Sequence, residues 1–201
     1  MFIKSYLAGV IIGLSAYSYI IINDKIIGSF LFSFGLLTIL ISGYKLYTGI
    51  IYSLKLTLSD IKNKLAVLCG NIIGIINICV VYYINGKPNI DKLNDIFINK
   101  TSQSIISFFC MGAICGILMY LAVNQYKKTN HPILVVMPIM LFILIGAEHC
   151  IANLFYFICS GQISVKTIAY LFVNIISNSL GSIIFYHLSK YTGARRKNNG
   201  N

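Results

Sequence analysis

The chain has 201 residues, of which 57% are hydrophobic and only 10% are charged. This composition excludes an ordinary soluble domain and is typical of an integral membrane protein. A net charge of +11 would suit a nucleic-acid partner if the protein were soluble. Here the basic residues mostly flank apolar runs, where they orient a membrane protein, so we expect no nucleic-acid partner.

Apolar runs along the chain predict an all-α integral membrane protein with six transmembrane helices, because one span needs about 20 apolar residues. A single six-span domain then covers 1–191, and 192–201 forms a basic cytoplasmic tail. Loop 85–101 is the only sizeable outer segment, and it carries no motif. The predicted spans are about 5–23, 26–44, 62–84, 102–124, 133–159 and 167–189.

Two of these spans are interrupted. The second ends in Gly43-Tyr44-Lys45-Leu46-Tyr47-Thr48-Gly49, after which apolar residues resume. The fifth is long for one span and has Gly146 and Glu148 in its middle. Irregular backbone persists at membrane depth only where protein or a water-filled cavity satisfies its polar groups. Both segments therefore predict broken helices.

The interruptions occupy equivalent places in the two halves of the chain. Gly43-Tyr44-Lys45-Leu46 aligns with Gly146-Ala147-Glu148-His149, and Gly70-Asn71-Ile72-Ile73 resembles Gly181-Ser182-Ile183-Ile184. Because each half has three spans, the halves have opposite topology. The pattern predicts two inverted three-helix repeats, about 5–84 and 102–190, with the substrate site where the breaks meet.

The basic residues predict the orientation of these spans. With an odd number of spans between them, loops 53–64 and 125–132 and both termini share one side of the membrane. That side carries twice as many Lys and Arg residues as the other, so both termini are predicted to be cytoplasmic. Its basic residues are Lys4, Lys55, Lys62, Lys64, Lys127, Lys128, Lys190, Arg195, Arg196 and Lys197.

The single glutamate of the chain, Glu148, lies deep in the fifth apolar run beside His149. A charge at the bilayer centre costs about 2.5–3.5 kcal/mol on insertion scales, so such residues are usually functional. Histidine exchanges protons near neutral pH and can protonate or hydrogen-bond an anion crossing an apolar constriction. A structural histidine bonded to a backbone carbonyl is the alternative.

Several segments resemble the formate/nitrite transporter family. Gly146-Ala147-Glu148-His149-Cys150-Ile151-Ala152-Asn153 is similar to its signature of Gly, any residue, Glu-His, a small residue, an aliphatic residue and Ala-Asn. The resemblance implies an aquaporin-like fold, a homopentamer with one pore per protomer, and transport of small monovalent anions of weak acids. Weaker matches follow in the right order: Ala8-Gly9-Val10, Phe32-Ser33-Phe34-Gly35-Leu36, Leu46-Tyr47-Thr48-Gly49 and Gly70-Asn71-Ile72-Ile73-Gly74.

The resemblance also implies roles for individual residues. His149 matches the central pore histidine, and Thr48 matches the threonine of the mobile loop opposite it. Glu148 matches the acid behind the histidine. The apolar constrictions match Phe32, Leu36 and Phe142, and the asparagine one turn after the histidine matches Asn153.

The implied partners are a small anion, protons and the lipid bilayer. The implied location is a bacterial cytoplasmic membrane. No cofactor or metal is expected. Lys45 stands where the family usually has an acidic residue, and Ser182 replaces the asparagine expected after Gly181.

Some roles stay open from the sequence. Glu148 is expected to accept hydrogen bonds from free amides at the start of the broken helix, with a proton relay as the alternative. Lys45 either pairs with Glu148, lines a vestibule and attracts anions, or extends to the membrane interface. Thr48 either meets the substrate or caps a following half-helix.

Two other kinds of protein remain as alternatives. A membrane-embedded substrate-binding subunit of a vitamin importer has a similar size, but it does not require paired breaks at mid-membrane. An intramembrane enzyme would need a nucleophile or a metal site, and the chain contains no HExxH motif. We therefore expect that the protein is not an enzyme.

Overall fold

The structure is a computed structural model that describes residues 1–198, with side chains described through Thr192. The described part contains eight α-helices and two 3₁₀ turns, and no strand. Residues 199–201 of the predicted basic tail lie outside it. The helices are α1 (Phe2–Ile21), α2 (Lys25–Ile41), α3 (Leu58–Ile84), α4 (Ile90–Thr101), α5 (Ile105–Thr129), α6 (Ile133–Leu144), α7 (Cys150–Cys159) and α8 (Val165–Asn198).

Four helices, α1, α3, α5 and α8, are long and apolar enough to cross a membrane. They form two close pairs, α1 with α3 and α5 with α8. Glycines allow the backbones to approach: a Cβ on Gly9 would lie 2.2 Å from the carbonyl oxygen of Asn71, and one on Gly116 would lie 2.1 Å from that of Asn178. Small residues at helix contacts are the usual means of close packing in membranes.

The shorter helices α2 and α6 end in the same way. Gly43 and Gly146 both have positive φ, at +65° and +76°. Just after each glycine the chain folds back, with the Tyr44 amide donating to the Ile39 carbonyl and the Ala147 amide donating to the Phe142 carbonyl. Glycine adopts this left-handed conformation without a steric penalty, so each of the two glycines ends a helix.

The chain then continues differently in the two places. After α6, residues 145–149 lead directly into the second short helix, α7. After α2, residues 42–57 contain only two 3₁₀ turns, Tyr47–Gly49 and Ile51–Ser53. No half-helix follows Thr48 in that segment, so the interpretation of Thr48 as a helix cap is wrong.

Segment 85–101, treated above as a loop without a motif, is mostly the amphipathic helix α4. Leu93 and Phe97 on one face are buried. The Lys92 amine donates to the backbone carbonyls of Tyr19 and Ile22 at the end of α1, and burial lowers the pKa of this ammonium group. These contacts hold α4 against the end of α1, and the C-terminal part of α4 carries Lys100.

Candidate functional site

The segments that follow α2 and α6 meet at one hydrogen bond. The hydroxyl oxygen of Thr48 lies 2.9 Å from Nε2 of His149. Both side chains are buried, with 1% and 2% of their surface exposed. The structure therefore brings together the two polar residues that the sequence analysis placed at the centre of the pathway.

The position of His149 assigns its tautomer. Its Nδ1 atom accepts a hydrogen bond from the Ala152 amide at 3.1 Å, so the ring is the N-cap of α7. In the neutral ring the proton is then on Nε2, and this N–H donates to the oxygen of Thr48. The Thr48 hydroxyl keeps its own proton for another acceptor.

Asn71 of α3 holds the segment around Thr48. Its side-chain oxygen accepts from the Tyr47 amide at 2.8 Å. Its side-chain amide donates to the carbonyls of Lys45 at 2.9 Å and Ser5 at 2.7 Å. One buried side chain thus satisfies two backbone groups of the interrupted segment and also ties them to α1 through Ser5.

Asn178 of α8 holds the segment around His149 with the same pattern. Its side-chain oxygen accepts from the Cys150 amide at 2.9 Å. Its side-chain amide donates to the carbonyls of Glu148 at 2.7 Å and Gly112 at 2.8 Å. Each interrupted segment is therefore held by a matched asparagine, and Asn174 adds a further bond to the Glu148 carbonyl at 2.7 Å.

The partner of Asn71 in this pattern is Asn178 and not Ser182. Ser182 donates to the Ser179 carbonyl within its own helix. The sequence alignment of Gly70-Asn71 with Gly181-Ser182 was therefore wrong by one helical turn, a shift that keeps the same helix face. Asn178 was missed, although a buried asparagine in an apolar span is itself a signal.

Glu148 is fully buried among three side-chain donors. Its Oε2 atom accepts from Lys100 Nζ at 2.6 Å and from Asn153 Nδ2 at 2.7 Å. Its Oε1 atom accepts from Gln103 Nε2 at 2.8 Å. The expectation that backbone amides of the broken helix would hold this carboxylate is wrong, because His149 takes the capping position instead.

Lys100 and Gln103 were missed as site residues, because Lys100 lies in segment 85–101, treated above as a loop without a motif, and Gln103 lies at the start of the predicted span 102–124. Lysine and glutamine side chains can both donate hydrogen bonds to a carboxylate. However, 48 residues separate Lys100 from Glu148 along the chain, so the local sequence does not indicate this contact. Asn153 uses its amide twice, donating to Glu148 and to Asn174 Oδ1 at 2.6 Å. Asn153 therefore supports the carboxylate.

Lys45 does not pair with Glu148, so that interpretation is wrong. Its exposed side chain instead lines two cavities on the opposite side of the Thr48–His149 contact, of about 100 Å³ and about 300 Å³. This position agrees with the vestibule interpretation. We refer to the two sides of the contact as the Lys100 side and the Lys45 side.

The apolar residues lie on both sides of the contact. Phe32 and Phe142 meet edge to face with ring centroids 5.9 Å apart, and Phe142 stacks on His149 at 5.7 Å. These three residues line a cavity of about 280 Å³ on the Lys100 side, together with Glu148. Leu36 lines the cavity of about 100 Å³ on the Lys45 side.

The fold and this buried centre define a helical membrane protein with two interrupted segments meeting inside it. A sequence profile of the formate/nitrite transporter family matches residues 1–192. The chain belongs to the formate/nitrite transporter family. Its family is one of channels and transporters and not of enzymes, so the resemblance and the expectation of a non-enzymatic protein are both confirmed.

Relatives of known name agree with this assignment. The formate channel FocA of Haemophilus influenzae is 29% identical over 148 residues, covering 65% of this chain and 52% of that protein. The formate-nitrite transporter of Plasmodium malariae is 28% identical over 193 residues, covering 76% and 61%. The chain spans about half the length of the FocA proteins it matches.

Solved structures share the fold. A pentameric formate channel with formate bound has a TM-score of 0.77 at 23% identity, covering 96% of this chain and 94% of that one. An FNT family ion channel has a TM-score of 0.81 at 21% identity, covering 96% and 89%. The chain is an all-helical integral membrane protein, and this assignment argues against a vitamin-importer subunit.

Proposed function

We propose that the protein is a transmembrane channel or proton-coupled transporter for small monovalent anions of weak acids, such as formate, nitrite or hydrosulfide. One observation carries the proposal: the Thr48–His149 hydrogen bond lies between two cavities that are separated by buried apolar residues. An anion entering from either cavity meets the Thr48 and His149 donors between them.

The proposed route begins in the cavity on the Lys100 side. It passes Phe32 and Phe142, then Thr48 and His149, and leaves past Leu36 on the Lys45 side. Apolar walls exclude hydrated ions, because stripping water from a charge is expensive unless the protein replaces the lost hydrogen bonds. Thr48 and His149 supply that replacement at the centre.

The geometry favours hydrogen bonding over proton donation by a doubly protonated ring. Protonating Nδ1 of His149 would place an N–H against the Ala152 amide and remove the cap of α7. It would also put positive charge at the amino end of a helix, which the helix dipole disfavours. The neutral ring can instead turn its Nε2–H from Thr48 to the anion, while the Thr48 hydroxyl donates as well.

Lysines at both ends supply attraction for anions. Lys100 and Lys25 line the cavity on one side, and Lys45 and Lys127 line the cavity on the other. Glu148 lies close to the route, but its carboxylate is held by three donors, which offset its repulsion of an anion. Charged walls of one sign raise the local concentration of the opposite ion.

The matched asparagine contacts support two inverted three-helix repeats in an aquaporin-like arrangement. Repeat one then consists of α1, α2 with the 3₁₀ turns, and α3. Repeat two consists of α5, α6 with α7, and α8. We propose one membrane domain over 1–191 in a bacterial cytoplasmic membrane, with both termini and the tail at 192–201 in the cytoplasm.

We further propose a homopentamer with one route in each protomer. The neighbour of known structure described as pentameric supports this assembly. One face of α8 is also broadly apolar and exposed, at Phe172, Ile176, Leu180, Ile184 and Leu188. Such a face suits either lipid or a neighbouring protomer.

Flux into proteoliposomes tests the proposal. Formate and nitrite uptake is measured from about pH 5 to about pH 8, the range in which histidine and weak acids titrate, for the wild type, His149→Phe and His131→Phe. His131 is exposed in the loop before α6 and serves as the control. Saturable uptake that is lost only in His149→Phe supports the proposal. Equal uptake in all three removes His149 from the route, and no uptake of any small anion refutes transport.

A further inference from the structure

A second cavity of about 300 Å³ lies on the Lys45 side, away from His149. Five separate parts of the chain form its wall: Met1, the segment after α2, the second 3₁₀ turn, α3 and the end of α5. We call it the basic cavity. Its polar wall residues are Lys45, Tyr52, Ser53, Asn63, Lys64 and Lys127.

The lysines of the basic cavity are held in position by the fold. The Lys45 amide donates to the Lys4 carbonyl at 3.1 Å, and its own carbonyl accepts from Asn71. The Lys127 amine donates to the Tyr52 hydroxyl at 3.1 Å and lies 5.5 Å from the centre of that ring. The backbone of Lys45 and the amine of Lys127 therefore already have partners within the protein.

The charge of this cavity is mostly uncompensated. No described residue that lines it is acidic. The nearest carboxylate to one of its lysines is Asp60, 3.8 Å from Lys64 Nζ. The Asp60 carboxylate also accepts a hydrogen bond from the Lys55 amide at 2.7 Å, just before the start of α3. Lys45 and Lys127 have no carboxylate partner among the residues described.

We propose that the basic cavity binds a phosphate group. Three amines from different elements, together with hydroxyl and amide donors, suit a multiply charged oxyanion with several acceptor oxygens. A monovalent anion would gain much less from the uncompensated charges of Lys45 and Lys127, because the attraction scales with the charge of the ligand. The same chemistry recognises free phosphate and a phospholipid headgroup.

The basic cavity shares Lys45 and Lys127 with the cavity beside Leu36. A phosphate bound there would occupy the lysines that attract transported anions on this side. This inference rests on the proposed function: phosphate bound on the Lys45 side inhibits anion transport and does not itself cross the membrane. A doubly charged anion would lose its hydration at the apolar residues beyond.

Equilibrium binding of radiolabelled inorganic phosphate tests the site directly. The full chain is purified in neutral detergent and measured at constant ionic strength, as wild type, Lys45→Gln, Lys127→Gln and Lys128→Gln. Lys128 follows Lys127 but does not line the cavity. We expect saturable binding that weakens about tenfold or more for Lys45→Gln and Lys127→Gln, and stays unchanged for Lys128→Gln.

A second arm identifies the source of the phosphate. Wild type and Lys127→Gln are placed in nanodiscs of neutral lipid with a small fraction of phosphatidylglycerol, and bound phosphatidylglycerol is measured. Selective enrichment that depends on Lys127, without binding of free phosphate, supports the site with the lipid headgroup as its occupant. Equal losses in Lys127→Gln and Lys128→Gln, or no binding in either arm, overturn the proposal. Binding is measured without flux, so a failure of anion transport leaves this result intact.

Discussion

Lys100 Nζ lies 2.6 Å from Glu148 Oε2, and this ion pair joins the amphipathic helix α4 to the segment between α6 and α7. The carboxylate is 1% exposed and the amine 14% exposed, so water screens the pair only weakly. Helix α4 is thereby tied to the residue beside His149.

Replacing Lys100 with methionine is expected to destabilise the protein by about 3 kcal/mol, because it leaves a buried carboxylate without its cation. The change is measured as a lower melting temperature in detergent. Lys100→Met combined with Glu148→Gln is expected to recover much of the loss. Lys87→Met, which removes an exposed lysine, is the control. Additive losses in the double variant would contradict the coupling.

The two asparagine contacts predict that Asn178, and not Ser182, is the residue of α8 that stabilises the interrupted segment. Asn178→Leu leaves the buried Cys150 amide without its partner, at about 1–3 kcal/mol, and removes side-chain hydrogen bonds to the Glu148 and Gly112 carbonyls. Asn71→Leu is expected to be equally damaging. Ser182→Ala removes a bond within one helix and is expected to change the melting temperature little. A larger effect from Ser182→Ala than from Asn178→Leu would restore the alignment based on Gly181-Ser182.

Close packing of α5 against α8 predicts a strong effect of one added methyl group. In Gly116→Ala the new Cβ would lie 2.1 Å from the Asn178 carbonyl oxygen, so the helices must separate. In Gly49→Ala the nearest atom is a methyl of Val123 at 3.4 Å, which is ordinary contact. We expect a melting temperature well below wild type, or loss of folded protein, only for Gly116→Ala. Equal stability of the two variants would be incompatible with this packing.

The Thr48 hydroxyl is predicted to take part in transport. Thr48→Val keeps the shape but removes both the acceptor of the His149 N–H and the donor to an anion. We expect formate uptake to fall about tenfold or more, since a hydrogen bond to a charged group is worth about 1.5–3 kcal/mol. Thr48→Ser keeps the hydroxyl and is expected to transport. Full uptake by Thr48→Val would show that the hydroxyl is dispensable.

The sequence was sufficient to locate the centre of the molecule. Gly43 and Gly146 mark the helix ends because each adopts positive φ, a requirement that can be recognised from local residues. The single glutamate and its neighbouring histidine stand out for the cost of polar groups in an apolar span. The resemblance to the formate/nitrite transporter family then placed Thr48 opposite His149.

Longer-range relationships could not be predicted in the same way. Asn71 and Asn178 take equivalent positions only because α1 packs on α3 as α5 packs on α8. Residues one turn apart in α8 lie on the same helix face, so the sequence pattern does not distinguish them. Lys100 reaches Glu148 only because α4 packs at the end of α1. The capping of α7 by His149 depends on the ring's orientation, which residue type alone does not determine.

The dual position of His149, at the start of α7 and beside Thr48, ties two properties of the protein to one ring. A substitution that removes the Nε2–H also changes how a helix begins, so its transport defect contains a folding component. His149→Asn separates the two, because asparagine is a good helix cap but cannot extend as far toward Thr48. The side chain at position 149 must both cap the start of α7 and offer a hydrogen-bond donor beside Thr48. Few side chains satisfy both requirements.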